Sequence, residues 1–100
     1  VVDTSTLAPG EAQGFAARLA GLGHAYLDAP VSGGPAGAAA GQLAMMVGGD
    51  AAALERARPV LAALTRSIVH LGPAGAGQVA KLTNNLLVAT HLVVAAEALR

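Results

Sequence analysis

Residues 75–85 read Gly75-Ala76-Gly77-Gln78-Val79-Ala80-Lys81-Leu82-Thr83-Asn84-Asn85. The spacing Gly75-x-Gly77-x-x-Ala80 is that of a dinucleotide-binding turn. Such a turn also needs a strand before it, a helix after it, a second parallel strand, and an acid about 20 residues on for the ribose hydroxyl. Only the first two conditions are met. The helical pattern runs from about Gly77 to Arg100, no return strand appears, and Glu97 still lies on that helix. The stretch reads instead as a glycine-permitted helix start, with Gly75 and Gly77 allowing close packing of the N-terminus.

Working back from this helix, Ser67 to Leu71 is a short strand, with Gly72-Pro73 leading out of it. Asp50 caps a helix carrying Leu54, Leu61 and Leu64, which Pro59 is expected to break. Leu43 to Val47 is a compact strand closed by Gly48-Gly49. His24 to Val31 is a further strand ending in the glycine loop Ser32-Gly33-Gly34-Pro35. Phe15, Leu19 and Leu22 fall at helical spacing after Pro9, with Gly23 as the stop. Val1 and Val2 end a buried strand that runs into the polar loop Asp3-Thr4-Ser5-Thr6. Alternating strands and helices of this length predict an α/β layered domain with a largely parallel sheet. An apolar pair at the start and an open helical pattern at Arg100 read as an internal excerpt of a longer protein.

The chain is 54% hydrophobic but only 2% aromatic, so its apolar content is mostly Ala, Val and Leu, and 100 residues bury little of it alone. Six basic residues balance six acidic ones, which argues against nucleic acid as a partner. The absence of cysteine excludes disulfides and thiolate metal sites and fits a cytoplasmic location. The longest apolar run, Leu86 to Ala96, is interrupted by Thr90 and His91 and falls short of the roughly 18 residues of a membrane span. It is expected to be a buried helix, with no membrane partner. His24, His70 and His91 are too far apart in sequence to form a local metal pair, so no metal site is expected.

Lys81 and Asn85 lie i, i+4 and share a face with Val88 and Leu92. A lysine heading an apolar stripe is either a snorkelling side chain or a functional one. Ser32-Gly33-Gly34 is either an ordinary strand-ending turn or an anion-binding loop. Thr6 reads as a helix N-cap for the segment that follows.

The run Asp28-Ala29-Pro30-Val31-Ser32-Gly33-Gly34, then Gly37-Ala38 and Gly41, then Met46-Val47-Gly48-Gly49, then Gly75-Ala76-Gly77-Gln78-Val79-Ala80-Lys81 with Asn84-Asn85, closely resembles the β-hydroxyacid dehydrogenases. The resemblance covers essentially all 100 residues and is nearest the branch of 3-hydroxyisobutyrate dehydrogenase and tartronate semialdehyde reductase. The 6-phosphogluconate dehydrogenases are a more distant match. The resemblance implies the C-terminal part of a Rossmann-type nucleotide-binding domain over residues 1–74. Residues 75–100 would begin the interdomain helix of an all-helical C-terminal domain. It implies NAD or NADP as cofactor, a small carboxylate substrate and a homo-oligomer at full length. It assigns Lys81 as the catalytic general acid/base, Ser32, Gly33, Gly34 and Asn85 as substrate-binding, and Thr6 with Ser5 as cofactor-binding. A different class of reading keeps the fold as a non-catalytic binding or oligomerisation module, the fragment being inactive alone.

The implied chemistry is consistent with these residue types. Oxidising a β-hydroxy acid removes a hydroxyl proton while hydride leaves the same carbon, so a base must sit within hydrogen-bond reach of that oxygen. For a lysine to serve, its ammonium must be disfavoured; an apolar interdomain face and the positive end of a helix act in that direction.

Overall fold

The computed structural model describes residues 1–100. The elements in chain order are β1 (Val2–Asp3), α1 (Pro9–Gly21), β2 (Leu27–Asp28), β3 (Val31–Ser32), α2 (Gly34–Ala39), β4 (Leu43–Gly48), α3 (Ala51–Leu61), β5 (Thr65–Gly72) and α4 (Ala76–Ala98). All five strands form one sheet. Met45 of β4 pairs with Val31 on one edge and Ile68 on the other, so β4 is central. The β4–β5 and β1–β2 pairs are parallel, whereas β2 and β3 run antiparallel to β4.

The sheet is thus mixed rather than largely parallel. Only residues 33–42 separate β3 from β4, while a parallel crossover takes a dozen or more. The short helix α2 therefore turns the chain back instead of carrying it across the sheet. The glycine loop expected over Ser32-Gly33-Gly34-Pro35 runs into this helix, which Pro35 starts in the first turn, where its missing N–H costs nothing.

The strand expected over His24–Val31 is two short pieces. They share one register against β4, pairing Asp28 with Gly48, Val31 with Met45 and Ser32 with Ala44. Pro30 sits in the gap, where it has no N–H to donate but still accepts from Met46 N–H at 3.0 Å. Pro59 does not break α3: the helix runs through it to Leu61. The lost bond falls in the last turn, on an exposed side, where the helix is ending anyway. Asp50 caps α3 as expected, its Oδ2 accepting Ala53 N–H at 3.0 Å.

Strand alternation sorts the two sheet faces. Leu27, Ala29, Met45 and Val47 point to one face and pack with Ala53, Leu54 and Leu61 of α3 as the apolar core. The opposite face carries Asp28, against which α4 packs, with α1 alongside α4. Gly77 makes this approach possible: a Cβ there would lie 2.5 Å from Met46 O and 2.8 Å from Asp28 O.

Only the start of α4 is buried, at Gly77 and Gln78. From Leu86 onward it is exposed, Leu92 at 70% and Val94 at 60%, so the expectation of a buried helix is not met within these residues. By length and composition α4 would suffice to cross a membrane, at a mean hydropathy of 1.3, though Gln78, Lys81, Asn84 and Asn85 occupy its first half.

Candidate functional site

Strand directions determine where the site forms. β1 and β2 are parallel, and β3 continues β2, so the loop after β1 and the loop after β3 leave the sheet at the same edge. Helix α4 runs the same way: Gly75 lies against Asp28 at its start, and Lys81 lies beside Ser32 further on.

A cleft of about 400 Å³ opens there between the end of β3 and the second and third turns of α4. Ser32, Gly33 and Gly34 line one wall, and Lys81, Asn84, Asn85 and Val88 the other. Gly33 has φ +136° and Gly34 φ +62°, both in the region that favours glycine, so the loop turns sharply with its backbone bare. None of the Ser32, Lys81, Asn84 or Asn85 side chains hydrogen-bonds within the chain. The ion pairs of the molecule are Glu55–Arg58 and Glu97–Arg100, so no carboxylate neutralises Lys81. The cleft presents one unpaired cation, three uncommitted polar side chains and an apolar floor from Val31 and Leu43. That arrangement suits a small ligand with a carboxylate and a hydroxyl or carbonyl oxygen.

The structure brings together Lys81, Ser32, Gly33, Gly34 and Asn85, and adds Asn84. Ser5 and Thr6 stand outside this cleft, on the exposed loop after β1. Thr6 is not a helix cap. Ala8 occupies the N-cap of α1, and its N–H is satisfied by the Glu11 carboxylate at 3.0 Å.

Sequence reasoning gave no role to two residues that build the site, Asp28 and Gln78, both fully buried. Asp28 Oδ1 accepts Gly75 N–H at 2.8 Å and Oδ2 accepts Gln78 N–H at 3.1 Å. A carboxylate from the sheet thus takes the place of an N-cap for α4, satisfying orphan donors and countering the positive helix end. It also answers the question raised by the glycine spacing: these N–H groups already hold an anion, so this turn does not offer them to a pyrophosphate. Gln78 in turn binds the loop after β1, Nε2 donating to Ser5 O at 2.8 Å and Oε1 accepting Leu7 N–H at 3.0 Å. The available signal was Asp28 itself, an acid inside the apolar run Tyr26 to Val31, which must find donors if buried.

At the base of the same loop, Tyr26 donates its hydroxyl to Asp3 Oδ2 at 2.8 Å. Burial pushes the Tyr26 hydroxyl above its ordinary range, and the bond to Asp3 adds to the shift. Burial alone would raise the Asp3 carboxyl, but hydrogen bonds from Ser5 and Tyr26 outweigh it and hold Asp3 below its usual value.

Residues 1–72 match the family described as the NAD binding domain of 6-phosphogluconate dehydrogenase. The NAD-dependent L-serine dehydrogenase of Pseudomonas aeruginosa is 57% identical over 99 residues, which are 99% of this chain and 33% of that protein. Among solved structures, the Mycobacterium tuberculosis 3-hydroxyisobutyrate dehydrogenase with L-serine superposes with a TM-score of 0.93 at 49% identity, over 97% of this chain and 33% of that one. A structure described as Psf3 in complex with NADP+ and 2-OPP matches at 40% identity and a TM-score of 0.85, over 87% of this chain and 31% of that one. The chain spans about a third of the length of the curated relatives it matches.

Proposed function

We propose, from the premise that this chain belongs to the family of the NAD binding domain of 6-phosphogluconate dehydrogenase, that it is the segment of an oxidoreductase carrying the acid/base group. The enzyme would transfer hydride between NAD or NADP and a short β-hydroxy acid. Residues 1–74 are then the C-terminal part of the nucleotide-binding domain, and residues 75–100 begin the helix leading into the next domain. The observation that carries this reading is the convergence of unpaired Lys81 with Asn85 and the bare Ser32-Gly33-Gly34 backbone on one cleft.

In this reading the substrate carboxylate lies on the Ser32-Gly33-Gly34 loop, where backbone N–H groups approach without Cβ interference and Ser32 adds a hydroxyl donor. Lys81 Nζ stands at the β-oxygen. It takes the hydroxyl proton during oxidation and returns it to the carbonyl oxygen during reduction. Asn85 has both a donor and an acceptor with which to orient that oxygen. Nicotinamide, when bound, supplies only the hydride acceptor or donor. Thr6 and Ser5 would be the residues of this chain that contact it, on a loop at the strand ends where ligands of such sheets bind. L-serine and 3-hydroxyisobutyrate, the compounds named for the relatives, share a carboxylate and a β-hydroxymethyl group. These residues would read that common part.

The exposed apolar stretch of α4 beyond Asn85 supports its being covered at full length, by the following domain and by a second subunit of a cytoplasmic homo-oligomer. The same stretch favours a second reading, a non-catalytic docking module, which leaves Lys81 and Asn85 without a purpose. The deciding experiment is Lys81→Ala in the full-length protein. Turnover is expected to fall by at least about 1,000-fold, with nicotinamide cofactor affinity nearly intact; retained turnover overturns the assignment.

A further inference from the structure

Gln78 is wholly buried, yet the packing of α4 does not require an amide there. The helix start is held by Asp28 through the backbone N–H of residue 78, which any residue but proline supplies. The side-chain amide serves another purpose. Both of its bonds go to the loop after β1, to Ser5 O and Leu7 N–H, and no other hydrogen bonds join that loop to α4. An amide presents one donor and one acceptor in a plane, matching the carbonyl and N–H of the two loop residues without burying a charge.

Lys81 follows Gln78 by three residues, on the same side of the helix and about 4.5 Å further along its axis. We propose that Gln78 is a positioning residue for the reaction. It fixes the loop carrying Ser5 and Thr6 at a set height and distance from the turn carrying Lys81, so that hydride transfer at the carbon and proton transfer at its oxygen occur in register. The proposal rests on the roles given above to Thr6 and Lys81. The hydrogen bonds that carry it do not.

The test uses the full-length protein with Gln78→Met, an unbranched side chain of similar length without hydrogen-bonding groups. Amide hydrogen exchange at Leu7 is expected to accelerate at least about 10-fold, while the amides of Gly75 and residue 78 stay protected. Displacing reacting groups by about 1 Å costs on the order of 100-fold, so kcat is expected to fall between about 10- and 100-fold. The primary deuterium isotope effect on hydride transfer should rise, with substrate KM close to wild type. Release of Leu7 with kcat and isotope effect unchanged overturns the proposal. So does loss of protection at Gly75 and residue 78 together with activity, which would make the role one of folding. Turnover retained in Lys81→Ala would remove the assignment of Lys81 as the acid/base group while leaving the Leu7 exchange result standing, so the two failures are distinguishable.

Discussion

Asp28 lies between glycines. A Cβ at Gly48 would fall 2.6 Å from its Oδ1, and one at Gly77 2.9 Å from its Oδ2, so the slot is shaped around a carboxylate. Two charge-assisted bonds to backbone N–H groups in a buried setting make Asp28→Ala expensive. We expect a loss of about 3 kcal/mol in urea unfolding, more than an exposed cap costs. Gly77→Ala should destabilise by about 2 kcal/mol, because its Cβ meets the Met46 and Asp28 carbonyls rather than a flexible side chain. Asp3 and Tyr26 give a pH dependence whose signs follow from their shifts. The lowered Asp3 contributes stability that is present above its unfolded value and lost as pH falls through the lowered folded one. The raised Tyr26 contributes stability that is present below its unfolded value and lost as pH rises toward the folded one. Thermal unfolding against pH should therefore show an acid limb that flattens in Asp3→Asn. At this scale spacing left Lys81, Asn85 and the Ser32-Gly33-Gly34 loop each with an ordinary structural reading, and it was the family resemblance that singled them out; the structure lines one cleft with them. Gln78 left no such mark: a glutamine at a helix start looks like any exposed one until the loop lying 71 residues away in sequence is seen against it.

Among the elements, α1, α3, β4, β5 and α4 were readable from periodicity and punctuation, since each carries either a 3.6-residue apolar stripe or a short apolar run closed by glycine. α2 was not, because Gly34-Pro35-Ala36-Gly37-Ala38-Ala39 has no large apolar residue to set a period and no buried side chain once folded. The direction of β2 and β3 was hidden for a different reason. A strand's own pattern says which residues face inward, while its partner's direction depends on the length and form of the connection, and the stretch after Pro35 shows no period from which to read either. Pro59 was over-read: so near the helix end a proline costs a single backbone bond on an exposed side, and the last turn is still closed by Ala62 N–H donating to Arg58 O. Asp50 is a plain N-cap, so Asp50→Ala should cost about 1 kcal/mol in chemical denaturation with no effect on cofactor binding.

For the whole molecule, only 15 of 100 residues are buried, and seven of them form the main apolar cluster. With Leu86, Leu92, Val93 and Val94 all exposed on α4, the 100-residue chain studied by itself should self-associate at micromolar concentration. Leu86→Lys with Leu92→Lys should shift its sedimentation toward monomer. The ladder that β2 and β3 share against β4 has a further consequence here. Asp28 at one end of that segment anchors the helix, and the Ser32 loop at the other end faces Lys81, so strand and helix together form a ruler whose two scales are fixed at one point. One inserted residue between Ala29 and Val31 would slide the Ser32 loop by about 3.3 Å and turn its side chains to the opposite face. In the proposed reading, the distance from a carboxylate on the Ser32 loop to a carbon beside Lys81 would therefore be a set length. Ligands of different kinds would be accommodated by what projects sideways from that line and not by how long they are.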